Sequence, residues 1–458
     1  MPPLKIVYST HHNPSYIPPI SLSPVQIIVG PNYKNIRRAD GSISSLTTPV
    51  EFDAAKLVEL LPEDQKPDLF VALVDSFLGC IPRNLKNLRC PKLLIIADTH
   101  HGLTPISKII KYCETEPFDK FVITHDPHHR HWFTEMGILP IANHLNLNVH
   151  DFNLPITSER ALSVIFVGQA GSNHVRRSRL LDGLHKANIG LMGHSALAPE
   201  AAKLYGTHVL SFNCSLNADF NMRNFEVLSA GGCLLTDRLS NASGFQNLFK
   251  DGDHVILYDD LDDLIEKAKY YLPRPDECFE IAVRGHHRYM EVMSEQKRSD
   301  NFLAFAMADH LTAIKMANET FDTDLRTNRK VCRPQILLSR VAIYETVQEL
   351  HKIELIDHVC CHAGISEEIC EDLGDLPQIT VGRKVNKWHK NLLILNEGAI
   401  AKLFSGKSLP PVQYILVLAA QPFTKSDFEI LQSHSYAYKP LANIPKALLF
   451  ESKSAFGK

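Results

Sequence analysis

Short, nearly continuous runs of Val, Ile and Leu recur along this chain, separated by segments whose apolar residues fall at helical spacing. In the first part the strand candidates are Lys5–Tyr8, Val25–Val29, Leu69–Val74, Lys92–Ala97, Lys120–Thr124 and Ile138–Ile141, with helices expected at Phe52–Leu61 and His128–Met136. Runs such as Leu69–Val74 lack the alternation of a strand with one wet face, so both faces must be covered. The pattern calls for the α/β class, with parallel sheets between helical layers.

A second series follows with strands at Ser163–Val167, Ile189–Met192, Val209–Phe212, Cys233–Thr236 and Val255–Tyr258. Between the two series, Asn148–Glu159 is polar, contains Pro155 and reads as a linker. After the last strand, Leu261, Leu264, Ile265, Ala268 and Leu272 share a helix face. Asp259–Asp260 can cap that helix, Asp262 and Asp263 favour its positive end, and Pro273 and Pro275 are expected to end it. Glu277–Ala317 is helical and charged, and the chain turns polar from about Asn318 to Arg333. A third α/β series has strand candidates Gln378–Val381, Asn391–Leu395 and Gln413–Leu418. The expected domains are therefore residues 1–155, 156–320 and 331–458, and 458 residues at roughly 150 per domain agree with three.

Composition narrows the function classes. With 48 basic and 51 acidic residues the formal charge is −3, which lacks the broad positive field of a nucleic-acid binder but leaves room for a local anion pocket. No apolar run reaches the roughly 18 residues of a membrane span. The start Met1–Pro2–Pro3–Leu4–Lys5 has no basic region followed by an apolar one, so no secretory signal is expected. The 10 cysteines form no C-x-x-C pair and Cys360–Cys361 are adjacent, which favours free thiols in a reducing cytoplasm over a disulfide or zinc framework.

Two segments of the second series carry chemistry. In Phe166–His174 a buried strand runs into a loop with Gly168 and Gly171, followed by Arg176, Arg177 and Arg179 on a helix with Leu180, Leu181 and Leu184 on its apolar face. Glycines admit close approach of a ligand to the backbone, a helix N-terminus attracts phosphate, and Arg adds bidentate contacts. The competing reading is a tight strand–helix turn with solvated arginines. In Asn221–Asp237 a short helix leads through Gly231–Gly232 into a strand. Arg223 and Glu226 share a helix face, giving a cation for a diphosphate and a carboxylate for sugar hydroxyls. The glycine pair fits a loop at the ligand edge. A surface ion pair is the plainer alternative.

These segments, with Gly193–His194, the Asn-x-Arg-x-Phe-Glu-x-x-x-x-Gly-Gly block, Leu-Leu-Thr-Asp and the continuation Leu248–Tyr258, resemble GT-B glycosyltransferases of the group 1 type, and most closely the CgeB-like (spore-maturation-protein-like) branch. The resemblance covers about Ser163–Phe302, is weak over the first 150 residues and does not reach beyond about Asn318. It implies two Rossmann-like domains in a GT-B arrangement, with a nucleotide-diphosphate sugar on the second and the acceptor on the first. UDP- or GDP-sugars are the expected donors. Arg223 would serve the donor phosphates and Glu226 the ribose or sugar hydroxyls. Gly168, Gly171 and Arg176 would lie near the diphosphate and His194 near the base or sugar. The resemblance further implies that no bound metal is needed. Where many retaining GT-B enzymes have an earlier carboxylate before this Glu, Asp219 stands here.

The histidines, 23 in all, concentrate where strands end. Six lie in His100–His131, in Asp98-Thr99-His100-His101-Gly102 and Thr124-His125-Asp126-Pro127-His128-His129-Arg130-His131, and His11–His12 follows the first strand. Ligands bind at the carboxyl ends of strands in open parallel sheets. Asp98 or His100 is a candidate base for activating an acceptor hydroxyl. The alternatives are a metal-dependent hydrolase using Asp98, His100, His125, Asp126 and His128, a non-catalytic sugar-nucleotide-binding scaffold, or histidines that are simply polar loop and cap residues. In the third series Gly406-Lys407-Ser408 mimics the end of a phosphate loop but has Ala401 where the first glycine belongs, and Lys384, Lys387, Trp388, His389 and Lys390 form a small basic-aromatic cluster. No chemistry attaches to this unit, which is a candidate for oligomerisation, acceptor recognition or partner binding.

Overall fold

The computed structural model describes residues 3–14, 17, 20–143, 149, 151–152, 154–171, 174–194, 196, 198–319, 331–354, 356–362, 365–377, 379–382, 391–396, 412, 414–418, 429, 431, 436–439 and 447–452. Among them the chain forms two compact units: residues 1–169 with 179–333, and residues 170–178 with 334–458.

The larger unit holds two large sheets and a two-stranded one. Strands β1 (Ile6–Ser9), β2 (Ile27–Gly30), β3 (Ile36–Arg37), β4 (Ile43–Thr47), β5 (Glu51–Asp53), β6 (Leu69–Val74), β7 (Ile81–Arg83), β8 (Lys92–Ile96), β9 (Lys120–Ile123) and β10 (Ile141–Asn143) come from its first part. Eight of them build one sheet in the order β10-β9-β8-β6-β1-β2-β4-β3, parallel except for β3 against β4, while β5 and β7 pair separately. From β1 the chain moves outward through β2 and β4, then returns to the other side of β1 at β6 and continues to β10. The second sheet is fully parallel, β12-β11-β13-β14-β15, from β11 (Ala161–Val167), β12 (Leu191–His194), β13 (His208–Phe212), β14 (Leu234–Asp237) and β15 (Ile256–Tyr258). It too reverses direction beside its first strand, between β11 and β13. Both are Rossmann-like arrangements, so the expected class, two Rossmann-like domains followed by a further α/β domain, is the one observed.

Side-chain alternation sorts the second sheet's two cores. Ile165 and Val167 face Phe225, Leu228 and Tyr289, whereas Val164 and Phe166 face Leu180, Leu184 and Leu264. The first sheet buries Tyr8, Val71, Leu73, Ile95 and Val122 against Phe302, Phe305, Ala306, Ala313 and Ala317. Those last residues lie on the helices Glu295–Met307 and His310–Glu319, so the chain crosses back after the second sheet to cover the first. Lys120 Nζ donates to the Ala306 carbonyl at 2.7 Å and fixes that return.

The smaller unit has a six-stranded sheet, β17-β16-β18-β19-β21-β20, made of β16 (His358–Cys361), β17 (Thr380–Gly382), β18 (Asn391–Asn396), β19 (Tyr414–Leu418), β20 (Tyr436–Lys439) and β21 (Ala447–Ser452). Its last two strands are antiparallel. A helix at Pro334–Glu354 bonds a second helix, Glu367–Leu373, through Arg340 Nη2 to Asp372 Oδ2 at 2.7 Å. Lys384, Lys387, Trp388, His389, Lys390, Ala401, Gly406, Lys407 and Ser408 lie outside the described residues.

Three expectations shift. The strand expected at Ile138–Ile141 starts only at Ile141, because Pro140 has no N–H for the ladder. Pro273 lies past the helix Leu261–Tyr271, which Asp260 caps by accepting from Asp263 N, but Pro275 occupies the first turn of the next helix, Pro275–Met293, where its missing N–H costs nothing. The polar stretch read as a linker is clamped. Arg298 Nη2 donates to the Val149 carbonyl at 2.6 Å, and Asp151 accepts from the Tyr289 hydroxyl and from Glu295 N, each at 2.6 Å. Val149 itself is buried in the second sheet's core.

The helix Pro275–Met293 packs through Gly285, where a Cβ would stand 2.3 Å from the His254 carbonyl oxygen and 3.0 Å from Leu228. A backbone oxygen cannot rotate away, so Gly285→Ala should destabilise the protein by about 1–3 kcal/mol. A lowered thermal midpoint is the expected outcome, and an unchanged one would show that this helix is not seated as described.

Candidate functional site

The first cluster forms where the second sheet reverses. Strand β11 ends at Val167 and is followed by Gly168 at φ 144°, backbone that a side chain rarely adopts. A Cβ at Gly168 would lie 2.2 Å from Arg223 Nη2, so glycine is what lets the guanidinium reach the strand end. Arg223, on the helix Met222–Ser229, donates through Nε to the Val167 carbonyl at 2.7 Å and through Nη1 to Asn213 Oδ1 at 2.9 Å. Its guanidinium also lies over the Phe166 ring, 4.8 Å from the centroid. Asn213, just past β13, is itself held, donating to Asn224 Oδ1 at 2.9 Å and to Thr236 Oγ1 at 3.0 Å. The cation is thus fixed across the carboxyl ends of β11 and β13.

Glu226 lies one helical turn on. Burial pushes its carboxyl above the usual range, against the pull of Arg223 and a hydrogen bond with Tyr205. Gly231 and Gly232 have a different job from the one expected. Gly231, at φ 70°, and Gly232 donate to the Leu228 and Val227 carbonyls at 3.1 and 2.8 Å and close the helix before β14. They stand at the amino end of a parallel strand, the edge opposite Gly168.

A second cluster joins the two sheets. His100 Nδ1 lies 2.9 Å from both Asp126 oxygens, and its Nε2 is 3.6 Å from Asp219 Oδ2. Thr99 donates to Asp126 Oδ2 at 2.9 Å and contacts His129 Nδ1 at 2.7 Å. Across the boundary Asn217 Nδ2 donates to the His100 carbonyl at 3.0 Å, and Phe220 N donates to the His125 carbonyl at 2.6 Å. Burial disfavours the imidazolium, but the carboxylates of Asp126, Asp219 and Asp98 outweigh it and raise His100 to about 10. For Asp126 burial likewise opposes charge, and His100 prevails, holding the carboxyl far below its ordinary range. Asp98, His125 and Ala218 all take left-handed backbone, at φ 51°, 70° and 65°. Strain of this kind collects at functional sites.

Where the first sheet reverses, His11 Nε2 bonds Asp75 Oδ2 at 3.0 Å. Burial lowers His11, but Asp75 more than compensates, so its net shift is upward; burial and the neighbouring His11 lower His12 to about 4.

The structure therefore brings Gly168, Arg223 and Glu226 together, and separately Asp98, His100, Asp126 and Asp219. Gly171 and Arg176 fall in the smaller unit. His194 ends β12 opposite Val167, and its side chain lies outside the described residues. Sequence reasoning missed Asn213, Tyr205 and Asn217. Asn213 follows a strand end and so carried the same positional signal as Asp98; the other two carried none.

Residues 171–304 match a family model described as Glycosyl transferase-like. No curated protein matches the chain. Among solved structures, TarM of S. aureus, in complex with Fondaparinux, alpha-GlcNAc-glycerol and UDP, is 11% identical with a TM-score of 0.41, over 52% of this chain and 55% of that one. Alr3699/HepE of Anabaena, in complex with UDP and glucose, is 12% identical with a TM-score of 0.43, over 66% and 98%. A UDP-forming trehalose-phosphate synthase of Burkholderia xenovorans is 10% identical with a TM-score of 0.45, over 68% and 100%. The chain thus spans about half the length of the first of these. At such scores the neighbours carry no assignment, and the residues must. No helix among the described residues is long and apolar enough to cross a membrane.

The histidine–carboxylate cluster has a pH signature. A group raised by folding stabilises fully below its unfolded value, near 6.5, and that contribution is lost as pH rises through about 10. Thermal midpoints should fall between these limits, and His100→Gln should flatten the fall. A variant with the wild-type slope would exclude His100 as its source.

Proposed function

We propose that the protein is a GT-B glycosyltransferase that moves a sugar from a nucleotide-diphosphate donor, UDP- or GDP-linked, to an acceptor bound at the first sheet, and that it belongs to the CgeB-like branch. The observation that carries this reading is Arg223, a cation fixed beside Gly168 at the reversal point of a parallel sheet, within the segment that matches the glycosyl transferase-like family. A cation held in this way needs little reorganisation as charge develops on a leaving diphosphate. Glu226, with Tyr205 beside it, offers acceptor oxygens for the ribose or sugar hydroxyls.

On the acceptor side, His100 keeps its proton at neutral pH, so it suits holding positive charge near the reacting centre better than removing a proton. Asp98, directly past β8, is the better candidate for the base in an inverting reaction. Ten free thiols fit a reducing compartment, which makes the cytoplasm the proposed location. The smaller unit is proposed to serve acceptor recognition or association.

Thermal shift with UDP, GDP, ADP and TDP tests the reading, with EDTA present throughout. One nucleotide should stabilise the protein. Arg223→Ala and Glu226→Ala should each weaken that nucleotide roughly ten- to a hundredfold, the worth of a charge-assisted hydrogen bond, while leaving the protein folded. No response to any nucleotide, or normal binding by both variants, would sink the donor site. A variant at Asp98 that binds donor normally yet transfers no sugar would support the base assignment, and full activity would remove it.

A further inference from the structure

The first sheet has a cluster that the donor and acceptor chemistry leaves unused. His11 and His12 follow β1, and Asp75 follows β6. These strands pair in parallel, with Ser9 opposite Ala72, so their carboxyl ends deliver all three side chains to one place. It is the place where the sheet's connections part, β1 leading outward to β2 and β6 leading to β8 on the other side. One ligand atom from each residue can be chosen so that all lie within 4.8 Å of one another.

The surroundings fix the cluster. The His11 side chain packs closely on Gly79, where a Cβ would stand 2.5 Å from its Cγ and 2.6 Å from its Cδ2. Asp75 Oδ1 accepts from Phe77 N at 3.0 Å, which leaves Oδ2 directed to His11. His11 Nδ1 is buried and has no hydrogen-bond partner among the described residues. Asp75 is 2% exposed and the His11 side chain 21%, so the group is held from within and open on one side.

We propose that His11, His12 and Asp75 bind one divalent transition-metal ion, Zn²⁺ or one of its neighbours. Two imidazoles and a carboxylate are a donor set suited to such ions, and three protein ligands leave at least one coordination position for water or a substrate oxygen. The ion takes the place of the His11–Asp75 hydrogen bond and draws the three donors closer. The other histidine–carboxylate group, Asp126 with His128 and His129, is fully buried, and its Asp126 oxygens are engaged by His100 and Thr99. Metal binding at His11 is separable from the donor reading, because its readout needs no nucleotide.

Equilibrium dialysis of the full chain, stripped with EDTA and then exposed to Zn²⁺, tests the site. Retention of about one equivalent is expected, weakened at least tenfold in His12→Gln and in Asp75→Asn. Since those side chains are buried, His11→Gln, at the most exposed of the three positions, keeps the test decisive if the others fail to fold. No retention by the wild type, retention unchanged in every variant that folds, or loss confined to His128→Gln would each overturn the proposal.

Discussion

The feature on which the sites depend is the direction of the strands. In a parallel sheet every strand leaves at the same edge, and a sheet that winds both ways from its first strand must open a gap at that edge where neighbouring connections diverge. Among the described residues the larger unit does so twice, between β1 and β6 and between β11 and β13, and the smaller unit once, between β16 and β18. Backbone carbonyls emerge there without ladder partners, and something polar has to meet them. At β11 it is the Arg223 guanidinium, which takes the Val167 carbonyl and Asn213 together. At β1 the chain places a pair of histidines, with the His11 ring bonded to the Asp75 carboxylate that follows β6. Each arrangement gathers titratable or charged side chains at a strand-end edge.

The two sheets are tied to each other by polar contacts as well as by the returning helices. Residues 213–221, between β13 and the Arg223 helix, reach over to the first sheet. There Asn217 and Phe220 bond the carbonyls of His100 and His125, and Asp219 faces the His100 ring. A loop that carries Arg223 at one end and touches His100 at the other couples the two edges mechanically. Any shift of one sheet against the other would have to break a charged contact inside a low-dielectric environment, which is costly unless a ligand replaces it.

How much of this the sequence disclosed follows from what sequence patterns encode. Leu69–Val74 was legible to the residue because a strand buried on both faces is apolar throughout. The helix at Leu261 was legible because Asp260, the apolar face and Pro273 mark its start, side and stop. Arg223 and Glu226 were legible as a pair because they lie on one helix turn. The clamped segment around Val149 was not, since its anchors, Tyr289, Glu295 and Arg298, come far later in the chain and hydrogen bonds across that distance leave no local pattern. Gly231 and Gly232 were misplaced for a related reason. Glycines mark a turn, but which edge of the sheet the turn occupies depends on strand direction.

The histidines illustrate how context sets the chemistry of one residue type. His100 and His12 both follow strands of the same sheet, yet one is raised to about 10 and the other lowered to about 4. Both are buried, and burial alone would lower both. The difference is the partner: His100 sits against Asp126 and Asp219, whereas at His12 the neighbouring His11 adds to the effect of burial against the pull of Asp98 and Asp75. Neutral imidazole is a metal ligand and imidazolium is an electrostatic anchor. Different neighbours at different strand ends can therefore shift the same side chain in opposite directions.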